Sequence, residues 1–151
     1  MKKLAFALAV LCGCGQSSTP SSSSSTPPAK PEPERIVVQH ILLSFAGAAR
    51  SKQTRTKDEA KALAQELLGR VKNGENFMEL MKRYSDDPGP GEYGMANNGV
   101  MPRDPEKEFP RRGMVPAFGN TGFKLEVNEI GLADHDPQTS PFGWHIIKRV
   151  K

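Results

Sequence analysis

A long run of serine, threonine and proline near the N-terminus restricts where this chain can fold. Residues 16–34 read QSSTPSSSSSTPPAKPEPE and contain almost no side chain that a core could bury. Segments of this composition cannot offset the entropy lost on ordering, and they behave as flexible linkers. We therefore predict that structure begins near Arg35 and that a single domain occupies residues 35–151.

The residues before this linker have the layout of a bacterial lipoprotein signal. The chain begins MKKLAFALAVLCGCG, in which two lysines precede an apolar run that is too short to span a bilayer. Leu11, Gly13 and Cys14 stand as in a lipobox, with Cys14 as the lipidated residue. We expect residues 1–13 to be a signal peptide and residues 14–34 to be the lipidated cysteine and a disordered tether. An ordinary signal peptide cleaved nearby is the alternative.

This interpretation accounts for both cysteines of the chain, because one is cleaved away and the other carries lipid. No thiol then remains in residues 35–151 for a disulfide, a zinc site or a nucleophile. Cleavage also removes Lys2 and Lys3, which lowers the formal net charge by two from +4 and weakens any case for nucleic-acid binding. We expect an extracytoplasmic domain anchored to a bacterial membrane, in the periplasm or on the outer membrane if the host is diderm.

The remaining residues predict a mixed α+β domain. RIVVQHILL (35–43) has the β-branched and aliphatic content of a buried strand. Thr56 and Glu59 form a capping box that opens a helix ending near residue 73, and a second helix follows Asn76. Residues 85–112 are rich in Gly, Pro and Asn and predict a long loop. A short helix near residues 114–125 and two strands near the C-terminus complete an α+β pattern with a small antiparallel sheet.

Six blocks of sequence, in order, resemble the parvulin family of peptidyl-prolyl cis–trans isomerases. They are QHILLSF, TRTKDEA, ENFMELMKRYSDDP, GEYG, RRGMVPAF and SPFGWHIIKRV, and they are distributed over nearly the whole range 35–151. The resemblance implies a four-stranded antiparallel sheet surrounded by about four helices. One departure is an insertion, MANNGVMPRDPEKEFP, within residues 95–110, which we expect to form a lid or rim beside the active site.

The same resemblance implies which residues form the site. Two histidines on central strands correspond to His40 and His145, and the acidic or thiol position of the family corresponds to Asp87. A hydroxyl that completes the histidine hydrogen-bond network corresponds to Ser140. The proline pocket corresponds to Met114 and Phe118, with Tyr93 at a substrate-binding position where relatives more often carry Leu. The family's phosphate specificity is not expected, because the basic residues are spread out, at Arg50, Lys52 and Arg55.

The chemistry of prolyl isomerisation suits these residue types. Rotation about the peptide bond faces a barrier of about 18–20 kcal/mol, whereas the two isomers before proline differ by only about 0.5–1 kcal/mol. A catalyst must therefore favour the twisted amide, and no cofactor or metal is required. An apolar slot can hold the pyrrolidine ring while polar groups fix the environment of the carbonyl. We expect proline-containing unfolded polypeptides as partners, no nucleic acid, and a monomer.

Other functions fit the sequence less well. A Ser–His–Asp hydrolase built from Ser140, His145 and Asp87 lacks a G-x-S-x-G elbow. A metal site lacks histidines at close paired spacing, and His135 is expected to be an exposed turn residue. The main alternative is a domain with the parvulin fold that acts as a chaperone or a protein-binding module with little isomerase activity.

Overall fold

The computed structural model describes residues 31–151. The predicted signal peptide, Cys14 and the tether up to residue 30 lie outside the described residues. Within residues 31–151, no helix is both long enough and apolar enough to cross a membrane. This part of the chain forms one compact unit. Its strands are β1 (Arg35–Leu43), β2 (Glu92–Ala96), β3 (Glu108–Pro110), β4 (Ile130–Ala133) and β5 (Trp144–Arg149); its helices are α1 (Lys57–Lys72), α2 (Phe77–Tyr84) and α3 (Pro116–Lys124), with a 3₁₀ turn at Arg111–Gly113.

The predicted helices form where their capping signals stand. Thr56 and Glu59 make the reciprocal capping box at the start of α1, and Asn73 follows the last turn. Asn76 caps α2 by accepting hydrogen bonds from the backbone N–H groups of Met78 and Glu79. Each cap satisfies backbone donors that a helix start would otherwise leave unpaired.

The sheet has five strands in the order β3-β2-β1-β5-β4, and three α-helices pack on it. The expected four strands and four helices were therefore wrong in number, although the α+β class is confirmed. Strands β2 and β3 lie within the stretch that was predicted to be loop, and β3 runs parallel to β2 rather than antiparallel. The composition of that stretch gave no sign of these strands, because Gly and Pro are depleted in strands. Pairing with a neighbouring strand can still stabilise a strand that contains them.

The sheet carries a core on each face. Helices α1 and α2 cover one face, where Ile41, Leu43 and Ile146 are buried. Helix α3 covers part of the other face, where Val38, Phe118 and Ile147 belong to a second cluster. The second face is open beyond α3, because that helix has only nine residues. Side chains of β1 and β5 that point toward this face can thus border both core and solvent.

Contacts of the domain begin before the first strand. The Arg111 guanidinium donates to the Glu32 carboxylate at 2.5 Å and to the Asn97 side chain at 2.9 Å. Arg111 also lies over the Phe123 ring, 4.6 Å from its centroid. The backbone N–H of Asn97 donates to the carbonyl of Glu34 at 2.8 Å. The residues just before β1 are therefore fixed against β2 and α3.

Removing the charge of Glu32 should lower the stability of the domain by a small but measurable amount. Arg111 lowers the pKa of Glu32, but the carboxylate is 39% exposed, so water screens the pair. We expect Glu32→Gln to lower the free energy of unfolding in urea by about 0.5–1 kcal/mol. Glu34→Gln is the matched control, since Glu34 is 78% exposed and pairs only with its neighbour Arg35. Equal effects of the two changes would contradict this account.

Candidate active site

The sheet register places the two predicted histidines together. His40 pairs with Ile147 and His145 pairs with Leu42, so the histidines are diagonal neighbours on the same face of β1 and β5. Their ring centroids are 5.4 Å apart and their Nδ1 atoms are 3.3 Å apart. Both rings are buried. A pair separated by more than a hundred residues in sequence is thus one hydrogen-bonded unit.

Asp87 joins this unit from the loop that follows α2. The Ser85 hydroxyl accepts hydrogen bonds from the backbone N–H of Leu42 at 3.1 Å and of Asp87 at 3.3 Å, which holds the loop against β1. Oδ2 of the Asp87 carboxylate then accepts two hydrogen bonds, from His40 Nε2 at 2.7 Å and from the Tyr93 hydroxyl at 2.8 Å. Its Oδ1 accepts the backbone N–H of Gly89 at 3.1 Å.

The contact between Tyr93 and Asp87 requires glycine at position 89. A Cβ atom placed on Gly89 would lie 2.3 Å from the Tyr93 hydroxyl and 3.3 Å from both Asp87 oxygens. No real Cβ makes such an approach, so any larger residue would displace the hydroxyl from the carboxylate. Tyr93, expected only as a substrate contact, therefore also holds the Asp87 carboxylate in place.

Hydrogen bonds and burial together determine the charge states of Asp87, His145 and Tyr93. The His40 hydrogen bond, assisted by Tyr93 and Gly89, holds the pKa of Asp87 well below its usual range despite partial burial. Burial lowers the pKa of His145 to about 3, with repulsion from His40 acting in the same direction. Burial and the adjacent Asp87 raise the pKa of Tyr93. At neutral pH the site therefore contains an ionised Asp87, a neutral His145 and a protonated Tyr93.

The ionised carboxylate places a proton on one nitrogen of His40. A carboxylate only accepts hydrogen bonds, so His40 carries a proton on Nε2. The Nδ1 atoms of His40 and His145 lie within hydrogen-bond distance of each other, so one proton between them joins the two rings. His145 Nε2 is buried and has no hydrogen-bond partner within residues 31–151. A hydrogen-bonded chain thus links His145, His40 and Asp87.

A pocket of about 490 Å³ opens over this chain. Its walls combine the rings of Phe118 and Tyr93 with Met114, and His40 and His145 border it. The Phe118 ring lies edge-on to His40 at 5.0 Å and to His145 at 5.4 Å. The predicted substrate-binding and histidine positions therefore share one cavity, which combines an apolar wall with an oriented polar floor.

Ser140 lies outside the hydrogen-bond chain that it was expected to complete. Its buried hydroxyl donates to the carbonyl of Gly143 at 2.8 Å, within the turn that precedes β5. The Ser140 carbonyl contacts His135 Nδ1 at 2.9 Å. Ser140 does not bond to a histidine because the carbonyl oxygen three residues ahead in the same turn is within reach of its hydroxyl and accepts its proton. Ser140 shapes the entry into β5 instead of contacting His145 directly.

One expectation about a polar residue was wrong. His135 is half-buried, with its ring edge-on to Phe45 at 4.8 Å and tilted against Trp144 at 5.4 Å, instead of being exposed. Arg55, one of the spread-out basic residues, forms a close ion pair with the largely buried Asp86. Asp86 also accepts the backbone N–H of Ser44 at 2.8 Å. Asp86 was overlooked because the family motif drew attention to Asp87 alone.

The buried neutral His145 predicts acid sensitivity. In the unfolded chain histidine binds a proton below about pH 6.5, whereas His145 in the folded chain stays neutral down to about pH 3. The unfolded state then binds the extra proton, so stability falls as the pH drops below about 6.5. We expect a slope approaching about 1.4 kcal/mol per pH unit between roughly pH 6 and 4 in urea unfolding. An NMR titration that finds His145 protonating near pH 6.5 would contradict the assignment.

No cluster of three or more potential metal ligands occurs among residues 31–151. The site itself combines an apolar pocket, a fixed carboxylate and a hydrogen-bonded pair of imidazoles.

Several known proteins are similar to this chain over about three quarters of its length. The chain is similar to Chaperone SurA of Pseudomonas fluorescens strain Pf-5 (31% identity), of Pseudomonas aeruginosa strain PAO1 (33%) and of Hahella chejuensis (34%). Each match covers 76% of this chain and 22–23% of the relative, so the chain spans less than a quarter of the length of these proteins. The family model for the PPIC-type PPIase domain matches residues 26–151, and the chain belongs to this family of parvulin domains.

Proposed function

We propose that this protein is a peptidyl-prolyl cis–trans isomerase that assists the folding of exported or envelope proteins. The observation that carries the proposal is the hydrogen-bonded chain of His145, His40 and Asp87 opening onto a pocket lined by Met114 and Phe118. Catalysis of this reaction needs differential binding of a twisted amide and no chemical step on the protein. The site contains the groups for such binding.

The pocket holds the proline ring against apolar side chains. Phe118 is buried and rigid, because α3 and the second core cluster surround it. Met114 is adaptable and completes the wall. A pyrrolidine ring seated here fixes the amide nitrogen, while the residue before proline stays free to turn. We assign Met114, Phe118 and Tyr93 as substrate-binding residues.

The polar floor favours the twisted state by electrostatics. In a planar amide, conjugation places partial negative charge on the carbonyl oxygen, and twisting the C–N bond reduces it. A fixed anion near that oxygen therefore disfavours the planar form more than the twisted one. Asp87 is such an anion, and its three donors occupy it, so it acts by its charge instead of as a nucleophile.

The histidines keep this anion in place. His40 donates to Asp87 from Nε2, while its other ring nitrogen lies 3.3 Å from His145 Nδ1, so the His145 ring holds the His40 ring in this orientation. Ser140 acts one step further away, since its bond to Gly143 shapes the turn from which His145 projects. We assign His40, Asp87 and His145 to the catalytic network, with Ser140 as a residue that positions it.

A folding helper that binds clients with little isomerase activity is the second candidate. The relatives with the same domain are named as chaperones, and this observation favours it. One variant can distinguish the two functions. Met114→Ala should abolish most of the isomerase activity, while suppression of aggregation would persist if binding is an independent function. Met78→Ala, on an exposed part of α2 outside the pocket, is the matched control.

The anchor rests on sequence alone. The lipobox-like residues support lipidation of Cys14, with residues 14–34 tethering a domain of residues 35–151 to an extracytoplasmic membrane surface. Radiolabelled palmitate should enter the full chain and should be lost in Cys14→Ala. No label in the native chain would refute the anchor and leave the domain's activity untouched.

A further inference from the structure

One edge of β1 beside the pocket is completed by side chains and a short segment instead of a strand. The pairing of β1 with β2 ends at Gln39. Beyond that point, the backbone N–H of Leu42 donates to the Ser85 hydroxyl at 3.1 Å, and the Leu42 carbonyl accepts the backbone N–H of Asp86 at 2.9 Å. The residues that follow α2 therefore take the place of a neighbouring strand at this end of β1.

A buried ion pair holds this segment against β1. The Asp86 side chain is only 8% exposed, and its carboxylate accepts the backbone N–H of Ser44 at 2.8 Å and pairs with the Arg55 guanidinium. Arg55 also donates to the Ser44 carbonyl at 3.1 Å, and its own carbonyl accepts the backbone N–H of Ala46 at 2.8 Å. The end of β1, the residues before α1 and the residues after α2 thus meet at one ion pair.

The two adjacent acids of this segment have different partners. Asp86 is paired with a guanidinium, whereas Asp87 accepts hydrogen bonds from His40 and from two uncharged donors. Neighbouring carboxylates repel each other, and a cation bound to one of them offsets that repulsion. The ion pair therefore fixes the backbone from which Asp87 projects and also compensates the charge of the acid beside it.

We propose that Arg55 and Asp86 are positioning residues, whose ion pair keeps the Asp87 carboxylate in contact with His40. The consequence for catalysis rests on the proposed function, but the contact itself can be observed without any reaction. Neither residue has to touch the client. A fixed charge acts on a rate through its position, and a displacement of about 1 Å can change a rate by about 100-fold.

The first test is an NMR signal of the full chain near pH 7. His40 Nε2 donates to the Asp87 carboxylate, and both side chains are largely shielded from water, so the Nε2 proton should give a separate signal in a ¹H–¹⁵N spectrum. We expect Arg55→Gln to lose this signal, because a displaced carboxylate no longer protects the proton from exchange with water. An unchanged signal in a folded Arg55→Gln variant would overturn the proposal, even if the chain catalyses isomerisation.

Two further variants control this measurement. Arg70→Gln breaks an ion pair with Glu75 outside the pocket, at an arginine of similar exposure (29% against 26% for Arg55), and it should keep the signal. If Arg55→Gln alone does not fold, Arg55→Gln combined with Asp86→Asn replaces it, because the double variant leaves no unpaired buried charge. The same loss of signal is expected there, and urea unfolding checks that each variant is folded.

The second test is a double-mutant cycle on kcat/KM. Arg55→Gln should lower kcat/KM by about tenfold in the wild-type chain but by less than about twofold in Asp87→Asn, because a residue that acts through Asp87 has no effect once that charge is gone. Equal losses in the two backgrounds would overturn the proposal. If the wild-type chain accelerates no exchange, the proposed isomerase fails, and the NMR signal in Arg55→Gln still decides whether the ion pair positions Asp87.

Discussion

Asparagine in place of Asp87 is expected to lower kcat/KM for Xaa-Pro isomerisation by about 10- to 100-fold, the range that corresponds to losing a hydrogen bond to a charged group. Asparagine has the shape of aspartate but no charge, and its NH₂ group cannot accept a hydrogen bond. The carboxylate now accepts from His40 and Tyr93 on one oxygen and from Gly89 on the other. In either orientation of the asparagine side chain, its NH₂ group would therefore face a hydrogen-bond donor and lose a hydrogen bond.

Two companion variants locate the cause of that loss. Tyr93→Phe removes one neutral donor and keeps the ring, so kcat/KM should fall by only about two- to tenfold. Glu92→Gln removes an exposed charge that accepts a hydrogen bond from Gln39, and it should leave kcat/KM unchanged. Stopped-flow or NMR exchange rates give kcat/KM, and urea unfolding checks that each variant is folded. A folded Asp87→Asn variant within twofold of wild type would mean that the anion is not used.

Alanine in place of Gly143 should produce the largest loss of stability among the single changes considered. Gly143 has a φ of +139°, a region that L-residues rarely adopt. A Cβ there would also lie 2.1 Å from the Leu43 carbonyl oxygen, on the strand that carries His40. The backbone of β1 or β5 would have to move. We expect the free energy of unfolding to fall by about 3 kcal/mol or more, or the chain to fail to fold.

Gly47→Ala is the matched control for this change. Gly47 also has a positive φ, +91°, but no atom lies within 4 Å of the position of its Cβ. The free energy of unfolding of Gly47→Ala should fall only by the cost of the unfavourable backbone conformation, about 1 kcal/mol. Urea unfolding of both variants measures the difference, which isolates the clash with β1. A similar loss in the two variants would show that the close contact between Gly143 and Leu43 is not needed.

The elements that could be predicted from sequence are those with local signals. The capping box of Thr56 and Glu59 and the apolar periodicity after it define α1 without help from the rest of the chain. Strand β1 has the same bounds as the apolar run that predicted it. By contrast, β3 pairs with β2 at a place where Gly94 lets the Lys107 carbonyl approach. That contact depends on two segments that no local pattern connects.

The residues of the site also differ in how far the sequence could predict them. The partnership of His40 and His145 came from resemblance to a family, since a spacing of over a hundred residues has no predictive value on its own. The role of Tyr93 could not be predicted, because the hydrogen bond to Asp87 depends on the small size of Gly89 and on the register of β2. Ser140 was assigned to the histidine network by the same resemblance, but a nearer carbonyl in its own turn accepts its hydrogen bond.

Isomerase activity is the central claim, and two-dimensional NMR exchange on a short Xaa-Pro peptide tests it most directly. Uncatalysed exchange takes tens to hundreds of seconds, so cross-peaks between the cis and trans forms are absent at short mixing times. A catalytic amount of the full chain should produce them, across a panel of residues before proline, and Met114→Ala should remove most of the effect. Exchange at the buffer rate with the folded wild-type chain would contradict the account.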